Sequence, residues 1–257
     1  MYGVTSLGDR VYVVHNYDQD VEVYDARTMT LERHFPVPKL LEVSGITACP
    51  HYNCLYIGDW KLSGIHRVDL SRPKAVKKWS VARTAEALSV NGAHNVLVSC
   101  RDEDKVQEYT TFGDLVREIR LWGSLTSPGH AIQLSTGDYV VSQHTSPGVV
   151  SVVSADGRVQ RSFQRREIKG KPLKLPVQMA VNKNGDILVS DRGNDRILAI
   201  NSALTHAQEF PISADVALNS PYALWLDEAH DRLYVGETRG RRRLLVFSNV
   251  NCIRWKQ

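Results

Sequence analysis

Ten cations fall in three short stretches: Arg165, Arg166, Lys169, Lys171 and Lys174 inside RREIKGKPLK, Arg192 in DRGNDR, and Arg239, Arg241, Arg242 and Arg243 in TRGRRR. Guanidinium and ammonium groups pair with phosphates and carboxylates, so these stretches would suit a polyphosphate chain or an acidic peptide. The bland alternative is that charged loops keep a surface hydrated. A second set is Glu86, His130 and Gln178, each at the head of an apolar run, with His15 and His144 at the ends of others. A carboxylate with imidazoles can hold a metal or move a proton, but the same residues also line polar channels, and a single histidine is more often a satisfied structural group. No G-x-S-x-G elbow, phosphate loop or H-E-x-x-H occurs, and no cofactor is expected.

Six short apolar runs decide which of these residues can meet. VYVV from Val11, LYIG from Leu55, VLVS from Val96, YVVS from Tyr139, ILVS from Ile187 and LYVG from Leu233 start 44, 41, 43, 48 and 46 residues apart. A period of that length built from short strands signals a propeller. Around each run lie an inner strand, a tight turn, a third strand and a more charged fourth. The unit is clearest in LPVQMAVNKNGDILVSDRGNDRILAI, where apolar residues alternate and Asn184-Gly185 reads as a type I′ turn. The chain is thus expected to be all-β: a six-bladed β-propeller of four-stranded antiparallel blades. One domain would fill 1–257, with blades near 1–40, 41–82, 83–121, 122–165, 166–212 and 213–257. Neither terminus is expected to supply a strand to the other's blade, so either the ring closes by contact of whole blades or the chain is cut from a longer parent.

Pro176, Asn184-Gly185-Asp186, ILVSD ending at Asp191, and Asn194-x-Arg196-Ile197 resemble the NHL-repeat propellers, a likeness that covers almost the whole chain. Blade six repeats it with Pro221, Glu237 and Arg243, whereas the place of Asp191 is taken by His15, Asp59, Cys100 and Gln143 in blades one to four. The resemblance implies that Asp191 and Arg196 form a structural clasp, intact only in blade five and in six. It also implies a loop face that binds proteins or, in some members, single-stranded RNA. In tripartite-motif relatives such a platform recruits substrates for ubiquitin transfer, with the ligase chemistry in other domains.

On this topology the two-to-three loops and the inter-blade links share one face, which brings the basic residues of blades five and six together opposite acids such as Asp18, Asp20, Asp102, Glu103 and Asp104. Glu86, His130 and Gln178 fall at the channel mouth. The sequence therefore favours a non-catalytic platform for a protein partner. Single-stranded RNA on the basic sector is second, and a metal-dependent hydrolase or lyase at the channel mouth third.

Composition is compatible with all three: 257 residues, 42% hydrophobic, 23% charged, net charge +4. No apolar run has the ~20 residues of a membrane helix. The first residues lack a basic stretch leading into an apolar one, so a cytoplasmic location is expected. The four cysteines lack zinc-type spacing and read as buried, reduced thiols.

Overall fold

The computed structural model describes residues 1–73, 75–81, 85–164, 170–213, 215–240 and 243–250. Six antiparallel sheets, each built from consecutive strands, form a six-bladed propeller. Blade one comprises β1 (Gly3–Leu7), β2 (Arg10–Val14), β3 (Asp20–Asp25) and β4 (Leu31–Pro36). Blade two has β5 (Val43–Cys49), β6 (Cys54–Asp59), β7 (Gly64–Asp69) and β8 (Val76–Ser80). In blade three are β9 (Ala85–Val90), β10 (Val96–Cys100), β11 (Lys105–Tyr109) and β12 (Leu115–Arg120). Blade four follows with β13 (Pro128–Gln133), β14 (Tyr139–Gln143), β15 (Val149–Val153) and β16 (Val159–Phe163). Blade five holds β17 (Pro176–Val181), β18 (Ile187–Asp191), β19 (Arg196–Ile200) and β20 (Ala207–Glu209). Three strands of blade six are described, β21 (Pro221–Asp227), β22 (Arg232–Glu237) and β23 (Leu244–Ser248); its expected outer strand, Cys252 to Trp255, lies outside the described residues.

The second strand of each blade is almost wholly buried, because both of its faces pack against neighbouring blades. Fourth strands such as β12 and β16 meet water and keep one apolar anchor each, Ile119 and Phe163. Trp79 shows how outer strands dock on the next blade: a Cβ on Gly113 would stand 2.6 Å from its ring, so only glycine fits that turn. Cys49, Cys54 and Cys100 are buried free thiols. No helix among the described residues is long and apolar enough to cross a membrane.

The Asn184-Gly185 turn differs from the expected two-residue type I′ form. In blade five the Gly185 N–H donates to the Asn182 carbonyl and the Asn182 N–H to the Asp186 carbonyl, at 2.9 and 3.0 Å, and Gly185 has a positive φ of 81° while Asn184 does not. This is a type I turn closed by one left-handed residue, and the Asn182 Oδ1 steadies it by accepting from the N–H groups of Asn184 and Asp186. The same five-residue pattern returns around Gly113, Gly137 and Gly157. In blade three the left-handed residue is His94 (φ 63°).

Among the described residues, blades six and one meet by side-chain contact and share no strand. Arg232 of blade six donates to the carbonyls of Ala26 and Arg27 in the three-to-four turn of blade one. The Trp225 indole donates to Ser6 Oγ at 2.9 Å, and Met1, Val4, Val11 and Val13 pack with Ala223 and Tyr234. Arg232→Met should cost about 2 kcal/mol, since a cation donating to backbone carbonyls contributes about that much. Urea midpoints would read the loss, with the exposed Arg239→Met as a variant expected to leave the midpoint unchanged.

Candidate functional site

Six inner strands end at the same face as the two-to-three loops, and their first residues form the mouth of the channel. Five of those strands carry an irregularity there. In β9 the partners run Ala85↔Cys100 then Ala87↔Ser99, leaving Glu86 as the extra residue of a β-bulge. In β13 they run Pro128↔Gln143 then His130↔Ser142, which leaves Gly129 in that role. Glu86 and His130 therefore do not share a level, although the sequence places Glu86, His130 and Gln178 together. Glu86 occupies the bulge position itself, whose counterpart in β13 is Gly129, whereas His130 comes one residue after it, at the level of Ala87.

Glu86 sits in the mouth itself, within a cluster drawn from opposite sides of the ring. Its Oε1 accepts from the Tyr222 hydroxyl of blade six at 3.3 Å and lies 3.4 Å from Nδ1 of His144; its Oε2 lies 3.5 Å from Nη1 of Arg101. The Tyr222 ring packs on Tyr2 with centroids 5.0 Å apart, and the Arg192 guanidinium carbon stands 5.6 Å from its centroid. Burial pushes the Glu86 carboxyl upward, but hydrogen bonding and charge from His144, with the charge of Arg101, outweigh it and hold the group below the usual carboxylate range. Burial, then the charge of Glu86, raises the Tyr222 phenol well above its ordinary value. His144 thus joins Glu86 as the sequence allows. His15 pairs instead with Glu22, at 3.3 Å.

One level below, His130 and Gln178 cross the channel as lashings between blades. The His130 Nδ1 accepts from the Met179 N–H at 3.1 Å, so its proton is on Nε2, which donates to the Leu88 carbonyl at 3.2 Å. Burial lowers its pKa to about 4. Gln178 accepts from the Leu224 N–H at 3.0 Å through Oε1. Among the described residues no group of three or more His, Cys, Asp or Glu side chains could hold a metal ion.

The basic sector is reached only in part, because Arg165, Arg166, Lys169, Arg241 and Arg242 lie outside the described residues. Lys171, Lys174 and Arg239 are exposed there, and Arg192 leans over Tyr222. Arg243 is not a free cation: it donates to both oxygens of Glu237 at 2.9 and 3.1 Å and to the Ala217 carbonyl.

That contact repeats the blade-five clasp. Asp191, fully buried, accepts from the Lys174 N–H at 2.7 Å, Asn194 Nδ2 at 2.8 Å and Arg196 Nε at 2.6 Å, while Arg196 also donates to the Lys171 carbonyl. The acid survives beyond blades five and six. Asp59 accepts from the N–H groups of Leu41 and Leu62 without an arginine, and Gln143 donates from Nε2 to the Ser124 carbonyl and Thr126 Oγ1. Its constant task is to hold the incoming link. The sequence hides this because the partner is backbone.

The same face also carries a row of exposed apolar side chains. Tyr17, Leu41 and Trp60 are 70%, 42% and 47% exposed on three successive connections. These are tied side by side: the Val43 N–H donates to the Asn16 carbonyl, Leu41 N–H to Asp59 and Trp60 N–H to the Glu42 carbonyl.

No protein-family model and no curated protein sequence matches the chain. Solved structures are similar in shape. Virginiamycin B lyase from Staphylococcus aureus superposes with a TM-score of 0.65 at 12% identity, over 96% of this chain and 83% of that one. The WD40 propeller domain of Doa1 gives 0.67 at 13%, over 96% and 81%. A chain of the nidogen/laminin complex gives 0.68 at 14%, over 86% and 83%. At such identities they share the propeller fold and nothing finer.

Two outcomes follow. Asp191→Ala should cost about 3 kcal/mol by stranding a buried guanidinium, against about 1 for Gln143→Ala, both read from urea unfolding. The folded state holds His130 neutral down to about pH 4 while the unfolded chain takes its proton near 6.5. Stability from this residue is therefore complete above pH 6.5, is lost as pH falls, and levels off below pH 4, for a total of about 3 kcal/mol. Urea midpoints across that window should fall more steeply than in His130→Gln.

Proposed function

We propose that the chain is a non-catalytic platform that binds another protein on the face carrying the inter-blade links. The observation behind this reading is the row of Tyr17, Leu41 and Trp60 on connections locked by backbone hydrogen bonds. Large apolar side chains cost free energy in water, and Tyr and Trp dominate the centres of protein interfaces. Around them Asp18, Lys39, Glu42 and Lys61 supply a polar rim of both signs, which suits a protein better than a polyanion. Propellers of the same shape include a WD40 domain and a chain of the nidogen/laminin complex, consistent with such a use of the fold. On this reading the site is on blades one and two, and the basic loops of blades five and six are its margin. The resemblance to NHL repeats agrees with a platform of this kind and would allow a part in recruiting substrates for ubiquitin transfer.

Tyr17→Ser combined with Trp60→Ser should lower affinity for the partner at least ~30-fold, the effect of losing one strong interface anchor. Quantitative affinity capture followed by titration with the purified partner would measure it. Lys171→Ser, Lys174→Ser and Arg239→Ser together should leave binding within about threefold, because exposed charges at an interface margin contribute little. Loss of binding in the triple variant alone, or capture of nuclease-sensitive material in place of protein, overturns the assignment.

A further inference from the structure

Below His130 and Gln178 the channel widens into a cavity of about 340 Å³, walled by Val4, Ile46, Leu88, Ile132, Leu224 and Trp225. It opens toward the tight turns: Val90, Val181 and Leu226, at or next to the last residues of their strands, are partly exposed, whereas deeper residues such as Leu88 and Leu224 are buried. This is the face opposite the link side, and neither the mouth cluster nor Tyr17, Leu41 and Trp60 contributes to the lining.

Three features say what would fill it. No Asp, Glu, Lys or Arg lines the cavity, and His130 is held neutral by two backbone bonds, so an ion entering would shed water without gaining a charged partner. The amide of Gln178 supplies one donor. Its Oε1 is committed to the Leu224 N–H, which fixes the other end as Nε2. That nitrogen points across the channel, 3.7 Å from where a Cβ of Gly45 would stand, and has no partner among the described residues although Gln178 is only 7% exposed. Flat surfaces stand at the opening. His94 lines it and stacks on His51 with centroids 4.1 Å apart and planes at 4°, while the Trp225 indole lines the cavity from blade six.

We infer that the lower channel is a binding site for a neutral, planar, largely apolar molecule carrying one hydrogen-bond acceptor, which enters from the tight-turn face and takes its hydrogen bond from Gln178. The volume lies in the range of small-molecule pockets, and apolar walls with one or two placed polar groups are their usual build.

Three naphthalene probes test this against methyl-labelled protein by NMR: 2-acetylnaphthalene, 2-ethylnaphthalene and 2-naphthoate. Saturable shifts should appear for 2-acetylnaphthalene at the methyls of Ile46, Leu88, Ile132 and Leu224. The ethyl compound, which lacks the acceptor, should bind about 3- to 10-fold more weakly, the value of one neutral hydrogen bond. The carboxylate should bind more weakly still. Gln178→Met should bring the acetyl and ethyl compounds to equal affinity, and Leu226→Trp, at the partly exposed opening, should abolish binding of both. Absence of saturable shifts in the folded wild-type protein, equal affinity for all three probes, or shifts confined to other surfaces would overturn the inference. The probe series on wild-type protein decides the matter even if a variant does not fold.

Discussion

Every blade of this ring ends inward on a strand with an unpaired edge, and six such edges face one another across a narrow channel. Buried N–H and C=O groups on them must find partners, and neighbouring inner strands are not hydrogen-bonded to each other as sheet. Side chains meet the need. His130 serves Leu88 and Met179, Gln178 serves Leu224, Ser89 donates to the Ala131 carbonyl, and Ser142 donates to that of Val177. The polar residues of the channel are thus spent first on holding blades together.

That demand divides the channel into levels. At the mouth, Glu86 and Tyr222 join opposite blades, with Arg101, His144 and Arg192 around them. The cluster contains groups that could exchange protons, yet they are paired mainly with one another; its neighbours hold the Glu86 carboxyl low, and burial raises the Tyr222 phenol. Beneath lies the septum of His130 and Gln178, and beneath that the walls turn apolar because nothing further needs bridging. An apolar pocket with the spare amide donor of Gln178 at its head is what remains.

The outer face obeys a related rule at larger radius. Long links between blades carry backbone groups that no strand pairs, and the residue ending each second strand turns to hold them: Asp59, Gln143, Asp191 and Glu237. Links held this firmly present their tips at fixed positions, which lowers the ordering cost of binding on that face. Tyr17, Leu41 and Trp60 owe their exposure and their alignment to these clasps.

Six copies of a strand pattern with turn residues between them were enough, by sequence alone, to determine the blade count, the order of strands within each blade and the face to which each loop belongs, because alternation and turn chemistry are local properties. The Asp191–Arg196 pair was legible for the same reason, both residues lying in one hairpin. Tertiary structure decided the rest. Packing set Glu86 one residue nearer the mouth than His130, brought Tyr222 to it from the opposite blade, and made His94 the left-handed residue of its turn. The unpartnered amide of Gln178 and the alignment of Leu41 with Tyr17 and Trp60 could not be read from sequence either, since each depends on which blades face one another and on which backbone groups are already satisfied, and distance along the chain encodes neither.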